Sequence, residues 1–93
     1  MRTIINRKVY DTETAEKVAH FDGADTLIED LYRTTKGVFF LHGQGGFAPT
    51  IGVLLVKGEL IRPMSIDDVI AWLEKRQLVA ELEALFPDEL EEA

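Results

Sequence analysis

Residues 38–41 (VFFL) form a run of four consecutive apolar residues, and this run constrains the fold more than any other feature of the sequence. Successive side chains of a strand point to opposite faces, so a strand that is apolar throughout must be covered on both sides. Residues 27–33 precede it across a turn in which Gly37 supplies a positive φ, and a glycine-rich loop at residues 42–46 follows it. We therefore expect a hairpin whose second strand is the central strand of a sheet.

Another strand pair is predicted near the beginning of the sequence. Residues 3–10 mix β-branched and aromatic side chains and run into a turn signal at Asp11 and Thr12. Residues 16–21 alternate in polarity and are the candidate return strand of a hairpin. A short helical turn over residues 12–17 is the alternative, because Asp11 or Thr12 can cap it.

Residues 51–56 and 59–64 predict a further hairpin. The two residues between them, Lys57 and Gly58, have the right number and composition for a tight connection. Pro63 has no N–H to donate to a neighbouring strand, so we expect the last strand to lie at an edge of the sheet or to end there. Pro49 closes the preceding glycine-rich loop.

The pattern becomes helical after residue 64. Ser65 and Asp68 have the spacing of a capping box, and Met64 and Val69 have the spacing of a hydrophobic staple. The acidic side chain of Asp68 also suits the positive end of a helix dipole. A helix is therefore predicted to begin immediately after Ser65.

Two apolar stripes follow, and they point in opposite directions. The first comprises Ile66, Val69, Ile70 and Leu73, and the second comprises Leu78, Leu82, Leu85 and Phe86. At about 100° per residue the second stripe falls on the opposite side of the helix from the first. One straight helix would expose one stripe, so we expect a break near residues 75–77. Pro87 ends the second helix.

These patterns together predict an α+β protein with an antiparallel sheet of about four to five strands, followed by two C-terminal helices packed on it. The length of 93 residues favours a single domain, residues 1–93. Within it we expect a β-hairpin region at residues 1–64, a two-helix region at residues 65–87 and a frayed acidic tail at residues 88–93.

Charge is concentrated in two blocks. Seventeen acids and ten bases give a net charge of −7, and residues 11–30 and 77–93 each carry a large acidic excess. This balance disfavours a protein that binds nucleic acid through phosphates and favours a basic partner. The candidate partner-binding residues are Asp11, Glu13, Glu16, Asp22, Asp25, Glu29 and Asp30 in the first block, Glu81, Glu83, Asp88 and Glu89 in the second, and Phe47 in the glycine-rich loop. A solvated surface that keeps the protein soluble is the alternative.

Signals for catalysis, metals and membranes are weak. The sequence has no cysteine, and its one serine, Ser65, is explained as a helix cap. His20 and His42 lack the spacing of metal ligands, and residues 42–46 lack the Gly-Lys-Ser/Thr of a phosphate-binding loop. No apolar run approaches the length of a membrane span. We expect a non-enzymatic cytoplasmic protein without a cofactor, a metal or a membrane contact.

Three segments resemble a known family. They are residues 6–15 (NRKVYDTETA), residues 31–46 (LYRTTKGVFFLHGQGG) and residues 61–73 (IRPMSIDDVIAWL). In the second, Leu-Tyr-x-Thr-x-x-Gly precedes an aromatic strand and Gly-x-Gly-Gly. In this order they are similar to a small domain that is encoded on bacterial mobile elements and found in several anti-CRISPR proteins.

The resemblance implies an inhibitor of a bacterial CRISPR–Cas effector. We expect it to bind the effector complex in the host cytoplasm and to block target DNA through an acidic surface that mimics DNA, without contacting nucleic acid itself, as a monomer or small homo-oligomer. The alternative is an interaction or regulatory module of a mobile genetic element, which would use the sheet or its edge at residues 59–63 to pair with a partner.

Overall fold

The computed structural model describes residues 1–23, 28–45, 54–56 and 59–93, the segment 54–56 by its backbone alone. In chain order the strands are β1 (Arg2–Ile5), β2 (Lys8–Asp11), β3 (Glu16–Asp22), β4 (Ile28–Arg33), β5 (Phe39–Gln44), β6 (Leu54–Val56) and β7 (Glu59–Met64). The helices are α1 (Ile66–Lys75) and α2 (Val79–Leu85), and a 3₁₀ turn follows at Pro87–Glu89.

The strands form two antiparallel sheets within the described residues. One has five strands in the order β3-β4-β5-β7-β6, and the other is the pair β1-β2. The helices follow the strands in the chain, and α1 and α2 contribute buried side chains to the same core cluster as β4 and β5. The α+β class predicted from the sequence is confirmed.

The beginning of the chain differs from the prediction. Residues 3–10 are not one strand, because Asn6 and Arg7 adopt positive φ values of 51° and 66° and reverse the chain between β1 and β2. Two consecutive positive φ values are the geometry of the tightest hairpin turns, and Asn at the first position favours it. The return strand therefore lies within residues 8–11, and β3 pairs with β4 instead of closing this hairpin.

Strand β5 is the middle strand of the five and is covered on both faces, as predicted. The first residue of the apolar run departs from the prediction, because Val38 precedes the strand and is 39% exposed. On one face Phe39 and Leu41 pack with residues of the helices, and on the other Phe40 packs with residues of β2, β4 and β7. The strand is longer than predicted: His42, Gly43 and Gln44 continue it and pair with both neighbouring strands. The expected loop begins only at Gly45, and Gly46 and Pro49 lie outside the described residues.

Opposite faces of the sheet carry different cores. The helix-side core includes Leu31, Leu41, Val69, Trp72, Leu73 and Leu82. The hairpin-side core consists of Tyr10, Tyr32, Phe40 and Ile61, with the Tyr32 and Phe40 rings stacked at a centroid distance of 5.3 Å. The β1-β2 hairpin thus covers one face of the sheet, and the helices cover the other.

The last hairpin joins β6 and β7. Val56 pairs with Glu59, which agrees with the expected two-residue connection, although Lys57 and Gly58 themselves lie outside the described residues. Strand β7 is not an edge strand, because β5 and β6 flank it, but the alternative expectation, that the strand ends at Pro63, agrees with the structure to within one residue. Pairing with β6 stops at Ile61, so Pro63 lies beyond it, and β7 ends one residue later.

Helix α1 begins with the predicted capping box. Ser65 Oγ accepts the Asp68 N–H at 3.1 Å, and Asp68 Oδ2 accepts the Ser65 N–H at 3.1 Å. The hydrogen bond from the Ser65 backbone lowers the pKa of the Asp68 carboxyl, and the Ser65 hydroxyl adds to this shift. Val69 and Leu73 face the core as expected, but Ile66 is 55% exposed. Trp72 is buried in the core with them.

The expected break between the helices is confirmed. Gln77 adopts φ 54°, its N–H donates to the Glu74 carbonyl, and the Leu78 N–H reaches the Leu73 carbonyl at 3.0 Å. These two hydrogen bonds form a Schellman motif with glutamine at the position that glycine usually occupies. The turn redirects the chain, so that Leu82 on α2 reaches the helix-side core.

The C-terminal residues are exposed but not wholly irregular. Helix α2 ends before Pro87, and the 3₁₀ turn Pro87–Glu89 includes two residues that the sequence assigned to a frayed tail. The Leu90 N–H donates to the Pro87 carbonyl at 3.4 Å and closes this turn. In the part of the chain that the structure describes, no helix has the length and apolar character needed to cross a membrane.

Candidate partner-binding surface

The two acidic blocks have different environments. In the first block, Glu29 and Asp30 lie on β4 and are only 4% and 8% exposed, although both side chains are carboxylates. A buried carboxylate requires a cation or several hydrogen bonds, because removal from water disfavours its charge. Each of the two has such partners within the protein.

Glu29 forms the most buried ion pair among the described residues. Its Oε1 accepts hydrogen bonds from Arg76 Nε at 2.9 Å and Nη2 at 2.5 Å. The Arg76 guanidinium also lies over the rings of Phe21 and Trp72, at 5.1 Å and 4.8 Å from the ring centroids. This contact connects β4 to the end of α1, which gives Glu29 a structural role and removes it from any exposed acidic face.

Asp30 is at the centre of a second network, on the hairpin-side face. His20 Nδ1 is 2.5 Å from one oxygen of Asp30, and Lys17 Nζ is 3.4 Å from the other. His20 Nε2 is also 3.2 Å from Asp22. The hydrogen bond with Asp30, and then that with Asp22, raise the pKa of His20 above its usual value. Asp30 is therefore neutralised within the protein, and Asp22 partly so.

The remaining acids of the first block lie nearer the surface. Glu16 is exposed but pairs with Arg33 at 2.9 Å, and Asp11 is half-buried with Oδ1 accepting the Glu13 N–H at 2.9 Å. Glu13 is exposed and forms no ion pair with a described residue. Asp25, like Phe47 of the glycine-rich loop, lies outside the described residues. The structure thus disperses this block instead of gathering it on one face.

The second histidine belongs to the same face as the first. In the strand registers, Asp30 lies opposite His20 on β3 and opposite His42 on β5. The side chain of His42 contacts a different acid, with Nε2 at 2.9 Å from Glu59 Oε1. Sequence reasoning missed this row of two histidines and a carboxylate. The sequence signal that could have revealed this row is the hairpin turn at Gly37, because it fixes the register of β4 and β5 and so places Asp30 opposite His42. Within the described ranges, no group of three or more candidate ligands is placed to hold a metal ion.

The second acidic block is arranged quite differently. Glu83, Asp88 and Glu89 are exposed, and Glu81 is half-buried. None of the four forms an ion pair with a described residue. We call these four residues the C-terminal acidic surface. They share the lack of an ion pair with a described residue, but Glu81 and Glu83 lie two positions apart on α2 and point to different sides of that helix. Helix α2 and the 3₁₀ turn position it, because Leu82 and Phe86 pack inward and leave the neighbouring acids outside.

Two apolar side chains of the same part of the chain are also exposed. Val79 on α2 is 54% exposed and Leu90 after the 3₁₀ turn is 40% exposed. The edge at residues 59–63, expected to pair with a partner strand, is occupied by β6 from Glu59 to Ile61. The acids of the second block are therefore better placed than that edge to meet another molecule.

The chain was also compared with known proteins. No protein-family model, no curated protein and no solved structure matches it.

Proposed function

We propose that this protein is a non-enzymatic inhibitor that binds a basic surface of a CRISPR–Cas effector complex and competes with target DNA. The observation that supports it is the C-terminal acidic surface, whose carboxylates are held on ordered backbone and are not neutralised by described bases. The choice of a CRISPR effector as the partner comes from the resemblance of residues 6–15, 31–46 and 61–73 to a domain of anti-CRISPR proteins.

The physical basis of the competition is simple. CRISPR effectors hold nucleic acid in positively charged channels. Carboxylates on a folded protein can replace phosphates at lysine and arginine side chains, with charge-assisted hydrogen bonds. Such charges accelerate association, whereas affinity depends on a few apolar anchors that become buried. Val79 and Leu90 are suitable anchors, because both are exposed and both belong to the segment that carries the acids.

The proposal is tested with a panel of purified effector complexes, scored separately for DNA binding and DNA cleavage. We expect the protein to bind at least one effector and to reduce its DNA binding, and we expect bound target DNA to exclude the protein. A protein that binds no effector in the panel, or that reduces cleavage while DNA binding is unchanged, would contradict the proposal.

Matched variants identify the surface that acts. Asp88→Lys/Glu89→Lys changes the C-terminal acidic surface, and Glu13→Lys/Glu16→Lys applies the same change in charge to the first block. The Glu16–Arg33 pair is exposed, so its loss should have little effect on folding. We expect only the C-terminal variant to lose effector binding. Equal loss in both variants would indicate a general charge effect, and loss in the first-block variant alone would place the binding surface there.

A further inference from the structure

A groove with a volume of about 690 Å³ lies between the β1-β2 hairpin and the turn that joins β4 to β5. Its lining includes four cations, Arg2, Arg7, Lys8 and Lys36, and two apolar side chains, Val9 and Val38. All four cations are exposed, and Val9 and Val38 are 46% and 39% exposed. We call this site the basic groove. It lies outside the surface used in the proposed function.

The basic groove keeps its positive charge in the folded protein. None of its four cations forms an ion pair with a described residue. Asp11 is the acid in the lining, and one of its oxygens already accepts the Glu13 N–H. A chain with a net charge of −7 thus carries a concentrated positive site with apolar walls. Such a site suits a ligand with several carboxylates around an apolar group.

We infer that the basic groove binds the C-terminal segment, residues 88–93, of a second copy of this chain. That segment carries Asp88, Glu89, Glu91 and Glu92 around Leu90, which is 40% exposed. Its acids complement the cations of the groove, and Leu90 matches the walls formed by Val9 and Val38. The association goes beyond the proposed function and does not depend on it. The segment contains Asp88, Glu89 and Leu90, which the proposed effector contact also uses, so one copy of the segment can make only one of the two contacts at a time.

The groove is less suited to nucleic acid. Single strands bind proteins by stacking bases on exposed aromatic rings as well as by phosphate contacts. Tyr10 is the aromatic residue among the described groove residues, and it is 5% exposed because it packs on Phe40. An acidic peptide needs no exposed ring on its partner, so it fits this lining better than a single strand does.

The segment that fills the groove must come from another molecule. The hairpin that forms the groove covers one face of the sheet, and the helices cover the opposite face. Leu90 lies on the helix side, where it borders a small pocket with Leu73 and Leu78. The resulting contact joins unlike surfaces of two copies, so it is head-to-tail and can extend beyond a dimer.

A six-residue segment buries less area than a standard stable interface, so the association is weak and reversible. Sedimentation equilibrium at protein concentrations of about 10 μM to about 1 mM covers the expected range. We expect concentration-dependent association that declines as ionic strength rises from about 0.05 M to about 0.5 M, because exposed charges become screened.

Two variants and a control define the contact. Lys8→Glu/Lys36→Glu reverses the groove, and Glu91→Lys/Glu92→Lys reverses the segment. Arg62→Glu/Lys75→Glu is the control, because it replaces two exposed cations outside the groove with glutamate and so makes the same change in net charge as the groove variant. We expect each of the first two variants to weaken self-association by about tenfold or more, because like charges then meet. The control should associate as the unchanged protein does.

Mixing gives the decisive measurement. Each reversed variant associates poorly alone. In the mixture, the unchanged segment of the groove variant can bind the unchanged groove of the segment variant, and the acidic groove can bind the basic segment, so association should return. Failure of the mixture to associate would overturn the inference, as would self-association that survives reversal of the segment. Loss of labelled single-stranded DNA binding on groove reversal, with no self-association at any concentration, would assign the groove to nucleic acid instead.

The same groove variant separates this inference from the proposed function. Lys8→Glu/Lys36→Glu leaves the C-terminal acidic surface unchanged, so effector binding should persist while self-association is lost. If both are lost together, the groove is part of the effector contact and the inference fails. A folded state matched to the unchanged protein by circular dichroism is required for each variant.

Discussion

The two acidic blocks are similar in sequence and different in the folded protein. Residues 11–30 and 77–93 each carry a strong excess of carboxylates. In the first block, Glu29 and Asp30 are buried on strand β4, and each has a cation, Arg76 at the end of α1 for Glu29 and Lys17 on β3 for Asp30. In the second, Glu83 and Asp88 stand in solvent without an ion pair among the described residues. Net charge along a sequence therefore does not give the charge of a surface.

The difference arises from secondary structure. A strand in the middle of a sheet presents both faces to neighbouring layers, so the acids of β4 are buried whichever way they point. A short terminal helix buries only one stripe of its surface, which Leu82 forms in α2. Acids at the other positions of such a helix remain accessible to solvent. Acids of the first kind should contribute to stability, and acids of the second kind should be free for binding.

The largest expected effect is at Glu29. Glu29→Ala leaves the Arg76 guanidinium largely buried without its carboxylate, and loss of one partner of a buried pair costs about 3 kcal/mol or more. Since small domains are stable by roughly 5–15 kcal/mol, this is a large fraction of the total. Urea denaturation followed by circular dichroism measures the free energy of unfolding.

Glu83→Ala is the matched control, because it removes the same side chain from the exposed block. We expect it to change the free energy of unfolding by less than about 0.5 kcal/mol. Similar values for the two variants would contradict the distinction between the blocks. Glu29→Gln, which keeps an acceptor for Arg76, should lie between Glu29→Ala and the unchanged protein.

Much of the fold could be predicted from the sequence, because its strongest signals are local. Each of these signals belongs to one strand, one helix or one turn. They are the apolar run at residues 38–41, the Ser65 capping box and the opposed apolar stripes around residue 76. The Asn6 turn was missed because strand-forming residues flank it closely. The Gln77 turn was located only by the change of stripe, since glutamine is not a usual residue for positive φ.

The pairing of charges could not be predicted in the same way. Glu29 and Arg76 are 47 positions apart, and their contact depends on how α1 crosses the sheet. The His20–Asp30–His42 row needs the registers of two hairpins together. The basic groove needs the β1-β2 hairpin to fold next to the β4–β5 turn. Such contacts are fixed by tertiary packing, and composition carries no signal for them.

A smaller effect, dependent on pH, is expected at His20. Its carboxylate neighbours raise its folded-state pKa above the unfolded value of 6.5. The protonated imidazole therefore contributes stability that is fully present below about pH 6.5 and is lost as the pH rises through the folded pKa. Thermal unfolding between about pH 5.5 and about pH 8.5, together with an NMR titration of the His20 ring, tests this.

His20→Gln is the control for that measurement. It should lack the part of the pH dependence that His20 contributes, while Glu83→Gln in the exposed block should leave the profile of the unchanged protein intact. An NMR titration in which His20 has an ordinary or lowered pKa would contradict the Asp30 contact. In that case the first block would be less completely neutralised than the structure indicates.

The smallest effect on stability is expected at the C-terminal acidic surface. Asp88→Lys/Glu89→Lys removes no ion pair with a described residue and no buried contact, so the free energy of unfolding should change by less than about 0.5 kcal/mol. The same variant should lose effector binding. A loss of stability as large as that of Glu29→Ala would show that these acids support the fold, and their effect on binding would then say nothing about a binding surface. The result that separates the two blocks is a loss of effector binding with unchanged stability. Replacement of a buried, paired acid such as Glu29 cannot give this result, because it also lowers the free energy of unfolding.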